Sequence, residues 1–82
     1  MAGMSRRESR GLPQHVRIGE AVKRERERAG LSQTDVAEHL GVDPTIVGRI
    51  EKGDIVLSLE RAAALAQLFR CPLNRFATVV AA

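Results

Sequence analysis

The sequence has little of what crosslinked, membrane-spanning or secreted proteins require. Its single cysteine, Cys71, excludes an intramolecular disulfide framework and suits a reducing compartment. We expect its thiol to be a small buried hydrophobe near a helix start. No apolar run approaches the roughly 18 residues of a membrane span, and no secretory signal is visible. The sequence therefore predicts a cytoplasmic protein with no membrane partner.

Residues that carry catalysis or bind metals are also scarce. His15 and His39 lie far apart in different predicted helices, and no cysteine or carboxylate completes a metal-ligand spacing. No nucleophile lies beside a predicted base, and neither a glycine-rich phosphate loop nor a zinc-finger spacing occurs. The sequence predicts no catalytic residue, no metal site and no cofactor, so we do not expect an enzyme. His39 is predicted to be a surface residue.

The charge balance favours an anionic partner without demanding one. Thirteen Lys and Arg residues face ten Asp and Glu residues in a chain of 82, which gives a net charge of +3 and an isoelectric point near 10.0. A chain of this length supports one domain with a small core. A modest positive charge is compatible with a polyanion but is weak support by itself.

Residues 33–53 are the most informative segment, because they predict two short amphipathic helices separated by a tight turn. Ser32 is placed to cap the first helix, with Asp35 three positions later as in a capping box. Asp43 is placed to cap the second helix, with Pro44 at its first position. Both helix starts are therefore marked twice, which predicts a helix-turn-helix.

The apolar spacing within this segment separates an inner face from an outer face. Gly41 can adopt the positive φ that ends the first helix. The inner face is predicted to hold Val36, Ala37 and Leu40 of the first helix and Val47 and Ile50 of the second. The outer face of the second helix then carries Thr45, Gly48, Arg49 and Lys52. An exposed helix of this kind fits the major groove of DNA.

The rest of the chain predicts an all-α domain of five helices behind an arm. Residues 1–14 are expected to form a flexible basic arm, and residues 15–82 the folded domain. The arm carries Arg6, Arg7 and Arg10, and it is either a solvated tail or a segment that lies along phosphates. Helix one is predicted over 15–29, helix four over 59–69 after a Ser58 cap, and a last helix over 73–80 after Pro72.

Two features depart from simple amphipathic patterns. Glu25 interrupts the buried stripe of helix one, and Arg61 is a candidate ion-pair partner. The apolar segment 55–57 is too short for a paired strand, and we expect it to lie under helix four. The alternative is that 55–57 forms an interface patch for another protein.

The chain resembles the phage-repressor, or Cro-like, helix-turn-helix family, also called the xenobiotic-response-element type. The similar residues extend over about 15–76 and include Ile18-Gly19, Val22-Lys23, Arg26, Gly30-Leu31-Ser32-Gln33, Val36-Ala37, Gly41-Val42, Val47, Ile50-Glu51 and Gly53. The resemblance implies a five-helix DNA-binding domain that recognises a double-stranded operator as a two-fold homodimer and usually represses transcription.

Site residues follow from the same resemblance. Gln33 is expected to contact a phosphate and to brace a base-reading side chain, and Pro44 and Thr45 lie where the family reads base edges. Arg49, one turn further along, is expected to read guanine through two parallel donors. Arg26 and Glu51 match a partly buried structural ion pair.

The remaining expectations concern the edges of the DNA surface. Ile46 could contact a thymine methyl group or fill the core edge, and Gly48 permits close approach to the groove. Lys52 is expected to contact phosphate, together with the three arginines of the arm. The last helix is expected to pack or dimerise through Leu73, Phe76, Val79 and Val80.

Two departures from the family pattern affect the operator rather than the fold. Pro44 replaces a polar base reader and offers only shape and apolar contact, and Asp43 places a negative charge near phosphates while capping its helix. An alternative function is that of a protein-interaction module or antitoxin-type protein, which binds its partner through 55–57 or the last helix.

Overall fold

The structure, a computed structural model, describes residues 14–76 and is built from α-helices. They are α1 (Gln14–Arg28), α2 (Gln33–Leu40), α3 (Pro44–Lys52) and α4 (Leu59–Phe69), and residues 74–76 are helical as well. No strand occurs within 14–76. The predicted all-α helix-turn-helix fold is confirmed. The arm and the last turns of the predicted fifth helix, with Val79 and Val80, lie outside the described residues.

Side-chain caps define where three of the helices begin. At α2, the Asp35 backbone N–H donates to Ser32 Oγ at 3.0 Å, and the Ser32 N–H donates to Asp35 Oδ2 at 2.8 Å. At α3, the Thr45 N–H donates to Asp43 Oδ1 at 2.8 Å, and Pro44 occupies the first turn. These bonds satisfy N–H groups that the first turn of a helix leaves unpaired. Each predicted cap is confirmed.

The turn between α2 and α3 depends on Gly41. Its φ is +72°, a left-handed conformation that costs glycine little and other residues more. Its N–H donates back to the carbonyls of the last turn of α2. Only Val42 and Asp43 then separate Gly41 from α3, so the two helices meet at a defined angle.

The core lies where α3 packs against α1 and α2 and where α4 packs against the same two helices. It consists of Ile18, Ala21, Val22, Val36, Ala37, Val47, Ile50, Ala62, Leu65, Ala66, Phe69 and Phe76. Four of the five residues of the predicted inner face belong to this core, and the fifth, Leu40, is partly buried at its edge. Ile46 is also half-buried against this core, which favours the core-edge alternative for its side chain.

Gly19 brings α1 close to α3. A Cβ atom at this position would contact the Ile50 carbonyl oxygen and would lie 2.7 Å from the Glu51 carbonyl oxygen. Such distances are shorter than van der Waals contact, and the atoms involved are backbone. The absence of a side chain at Gly19 therefore sets how closely the two helices pack.

Three sequence expectations need correction. Among residues 14–76, Glu25 does not pair with Arg61. Its Oε1 lies 3.5 Å from Arg28 Nη1, three positions further along α1, and its Oε2 lies 3.8 Å from Arg75 Nη1. Phe76, expected at a surface between copies, is only 2% exposed within the chain and therefore packs as a core residue. The arm cannot extend to residue 14, since α1 begins at Gln14.

Other expectations agree with the structure. Cys71 is half-buried against the core, and this burial raises the pKa of its thiol. His39 is exposed on α2. In the segment 55–57, Ile55 and Leu57 pack against the core while Val56 points outward with 68% of its surface exposed.

Candidate nucleic-acid interface

The outer face of α3 forms one side of a surface depression. Val47 and Ile50 are buried in the core, so the opposite side of α3 points outward. The depression is lined by Gln33, Pro44, Thr45, Gly48, Arg49, Lys52 and Asp54, and we call this surface the α3 depression. Five of these residues lie on α3 itself. The structure thus brings together Gln33 and the predicted readers on α3.

Arg49 and Lys52 give the α3 depression its positive charge. Both side chains are exposed, and neither forms a hydrogen bond or ion pair with another residue of 14–76. Asp54, beyond the end of α3, lies at the same surface and is the one acidic residue in its lining. A free guanidinium on an exposed helix can meet an acceptor pair on a base or a phosphate without first breaking an internal contact.

A buried ion pair fixes the far end of α3. Arg26 Nε donates to Glu51 Oε2 at 2.6 Å, and Arg26 Nη2 donates to Glu51 Oε1 at 3.2 Å. The side chains are 11% and 4% exposed. Arg26 Nη1 also donates to the Leu31 carbonyl at 2.9 Å, so one guanidinium joins α1, the following loop and α3. Hydrogen bonding to Glu51 raises the pKa of Arg26, against the opposing effect of burial.

Gln33 joins this ion pair to the α3 depression. Its Nε2 donates to Glu51 Oε1 at 3.0 Å. This bond could not be predicted from the sequence, because Gln33 and Glu51 lie 18 positions apart in different helices. Helical periodicity does predict one part of this arrangement. Gly48 and Glu51 are three positions apart on α3 and therefore share a face of that helix.

Gly48 lies beneath the Gln33 side chain, although the packing of Gln33 does not require a glycine at this position. A Cβ atom at Gly48 would lie 3.7 Å from Gln33 Nε2 and 3.8 Å from Gln33 Oε1, which are ordinary van der Waals distances. Unlike Gly19, this glycine is not imposed by internal packing. An open backbone at this point is compatible with a partner that approaches α3 closely.

The other expected site residues are distributed as follows. Pro44 and Thr45 are exposed at the start of α3, and Leu73 is 37% exposed at the start of the last helical segment. Arg6, Arg7 and Arg10 lie outside the described residues. Two surface residues could not be predicted from the sequence, because neither belongs to a motif: Asp54, which lines the α3 depression, and Leu59, whose side chain is 71% exposed.

No group of three or more His, Cys, Asp or Glu side chains among residues 14–76 could hold a metal ion. Within the same residues, no helix has the length and apolarity needed to cross a membrane.

Comparison with known proteins identifies the family. The model of the helix-turn-helix family, of Cro/C1 type, matches residues 22–76, which include α2, α3 and α4. A protein from Pyrococcus furiosus, whose name assigns it provisionally to the HTH-type transcriptional regulatory proteins, is 44% identical over 59 residues. The match covers 71% of this chain but only 19% of that protein, so the chain spans about a fifth of the relative's length. The chain therefore belongs to the Cro/C1-type helix-turn-helix family, a family of DNA-binding transcriptional regulators.

Proposed function

We propose that the chain is the sequence-specific DNA-binding part of a transcriptional regulator and that α3 enters the major groove. The observation that carries this proposal is the separation of the two faces of α3. One face is buried in the core, and the other presents the guanidinium of Arg49 and the ammonium group of Lys52 in the α3 depression, neither of them paired with another residue of 14–76. An α-helix, about 10–12 Å across with its side chains, fits a major groove about 12 Å wide.

Arg49 is the principal base reader in this proposal. A guanidinium can donate in parallel to O6 and N7 of guanine, a contact worth about 1–3 kcal/mol of discrimination. Thr45 contributes a hydroxyl and a methyl group near the start of α3, and Pro44 contributes shape and apolar contact. Gly48 allows the groove to approach the backbone. Ile46, which is half-buried, reaches a thymine methyl group only through its exposed part.

Phosphate contacts position α3 in the groove. Gln33 lies at the start of α2 beside the α3 depression, where helix N–H groups also favour an anion. Lys52 lies at the opposite end of α3. We extend these contacts with Arg6, Arg7 and Arg10 of the arm. Several phosphate contacts should make the affinity fall steeply with salt concentration.

The regulator acts as a homodimer on a palindromic operator and represses by occupying a promoter. One α3 reads only a few base pairs, whereas two copies related by a two-fold axis read half-sites about 34 Å apart. Leu73, with Val79 and Val80, remains the proposed contact between copies, and Phe76 supports this region from the core. Sedimentation at micromolar concentration tests the dimer. A strictly monomeric species bound to DNA would refute the two-fold arrangement.

Selection from a random DNA pool, followed by binding measurements on the selected sequence, tests the proposed function. Arg49→Ala should remove the preference at one base pair and leave much of the non-specific affinity. Arg24→Ala is a matched control, because Arg24 is also exposed but lies on α1 outside the α3 depression. The control should retain the preference. Equal preference in the wild type and in Arg49→Ala would contradict the assignment of the base reader.

A second candidate function is binding to a protein partner, as in an antitoxin-type protein. The exposed large hydrophobic side chains Val56 and Leu59 favour it, because two such residues three positions apart offer an apolar contact next to α4. Co-elution with a protein partner, together with no retardation of any DNA pool, would support this function. Both functions can occur in one protein, since the two surfaces use different residues.

A further inference from the structure

The orientation of the Gln33 amide is determined by its bond to Glu51. A carboxylate only accepts hydrogen bonds, so it can pair with the NH₂ end of an amide and never with the carbonyl end. Glu51 Oε1 lies 3.0 Å from Gln33 Nε2. The carbonyl oxygen of Gln33, Oε1, must therefore face away from Glu51. The chemistry of the pair thus selects one of the two amide orientations.

The Gln33 carbonyl oxygen is open to solvent. No donor among residues 14–76 bonds to it, and no buried side-chain nitrogen or oxygen in this part of the chain lacks a partner. An acceptor without a partner that is not buried must be accessible. Because Gln33 lines the α3 depression, its free acceptor is presented at the same surface as the Arg49 guanidinium.

The bond that fixes this orientation is protected from water. The Glu51 side chain is 4% exposed, and Arg26 donates to both oxygens of the same carboxylate. Hydrogen bonds to an ionised acceptor are stronger than neutral ones. The Gln33 amide consequently reaches the α3 depression already oriented, and DNA does not have to reorient it on binding.

We propose that Glu51 is a positioning residue for base reading: by holding Gln33 Nε2 inward, it leaves Gln33 Oε1 to accept a hydrogen bond from the Arg49 guanidinium when Arg49 reads its base. This inference rests on the proposed function. It assigns the buried ion pair a second role, since the pair that holds α1 to α3 also sets the hydrogen-bonding pattern of the α3 depression. The family resemblance already implies that Gln33 braces a base reader, and the new element is that Glu51 selects which end of the Gln33 amide faces Arg49.

A double-mutant cycle tests the proposal on DNA. Glu51→Gln is isosteric and lets the Gln33 amide adopt either orientation, and Gln33→Met keeps the side-chain length but removes the amide. The readout is the affinity ratio between the selected DNA and the same DNA altered at the base pair that loses its influence in Arg49→Ala. Glu51→Gln should lower this ratio about fivefold or more when Gln33 is present, the lower end for a specific base contact. It should lower the ratio less than about twofold when Gln33 has been replaced by Met.

The cycle separates positioning from simple loss of structure. A structural effect of Glu51→Gln lowers the affinity for every sequence alike and does so in both backgrounds. If the ratio falls equally with and without Gln33, Glu51 does not act through this amide and the inference is overturned. If the wild type shows no preference among DNA sequences, the proposed function fails as well.

The side-chain NH₂ signals of Gln33 in ¹⁵N NMR provide a second measurement on the free protein. One of the two Nε2 protons should exchange slowly with water in the wild type and rapidly in Glu51→Gln. Two protons that exchange equally fast in the wild type would show that the amide is not held, and this would overturn the inference without any use of DNA.

Discussion

Replacement of Arg26 by Met should destabilise the domain more than any surface substitution. The change leaves the Glu51 carboxylate, 4% exposed, without its counterion, and it leaves the Leu31 carbonyl without its donor. Gln33 Nε2 would be the one remaining donor to Glu51 among residues 14–76. Removing one partner of a buried ion pair costs about 3–5 kcal/mol, because the other charge remains desolvated.

That loss is large relative to the stability of a small domain. At roughly 0.05–0.15 kcal/mol per residue, a chain of this length has a free energy of unfolding of about 4–12 kcal/mol. A loss of about 3 kcal/mol corresponds to a fall in Tm of roughly 12–24 °C. Thermal and urea unfolding followed by circular dichroism would measure both quantities.

The double substitution Arg26→Met with Glu51→Leu should recover most of the loss, because neither buried charge then remains. Arg24→Met, on the exposed face of α1, is the matched control and should change the stability by less than about 0.5 kcal/mol. The reasoning is refuted if Arg26→Met alone costs less than about 1 kcal/mol. It is equally refuted if the double variant is no more stable than Arg26→Met.

Three further predictions follow from the glycines and the caps. Gly19→Ala should destabilise the domain by about 1–3 kcal/mol, since its Cβ would meet the backbone of α3, and an unchanged Tm would contradict this packing. Gly48→Ala should raise the free energy of unfolding by up to about 1 kcal/mol, because alanine has the higher helix propensity. The same substitution should weaken DNA binding. An unchanged affinity for DNA in a retardation assay would show that the groove does not approach this position. Hydrogen bonds from backbone N–H groups lower the pKa values of Asp35 and Asp43 below their usual 3.8. The ionised carboxylates therefore stabilise the folded state at pH values above 3.8, and this stabilisation is lost as the pH falls below 3.8 and the carboxylates are protonated. Urea unfolding between pH 5 and about pH 2 should show this loss, and Asp43→Asn, which keeps a capping oxygen without the charge, should show less of it.

The position of the two buried carboxylates suggests why this small core keeps polar groups. Glu25 and Glu51 are the buried charged residues among those described, and both meet arginines from another part of the chain. Glu51 joins α1 to α3, and Glu25 joins α1 to the C-terminal segment at Arg75. Apolar contacts tolerate small rotations of a helix, whereas a paired carboxylate does not. The angle between α1 and α3 therefore depends on the Arg26–Glu51 pair.

The local features of the fold could be predicted from the sequence alone. Ser32, Asp43 and Ser58 bond to N–H groups two or three positions away, and Gly41 needs only its own backbone freedom. The inner and outer faces of α3 likewise follow from helical periodicity. Such features depend on neighbouring residues, so the sequence contains the information directly.

Side-chain partners across helices could be predicted only where the family resemblance named them. The resemblance implies the pair of Arg26 and Glu51. For Glu25 the sequence offers Arg61 only as a candidate partner, and the structure places Arg28 and Arg75 beside it. Phe76 was counted among the dimer candidates, and it is a core residue.

The sequence by itself determined where α2, α3 and α4 begin, which face of α3 is apolar and that a helix-turn-helix forms. The tertiary structure alone decided which charges meet, which hydrophobic residues remain exposed, and that the Gln33 amide is held by Glu51. The physical reason is distance along the chain. Capping and periodicity act within a few residues, whereas contacts between residues 18 to 50 positions apart depend on how the packed helices are positioned.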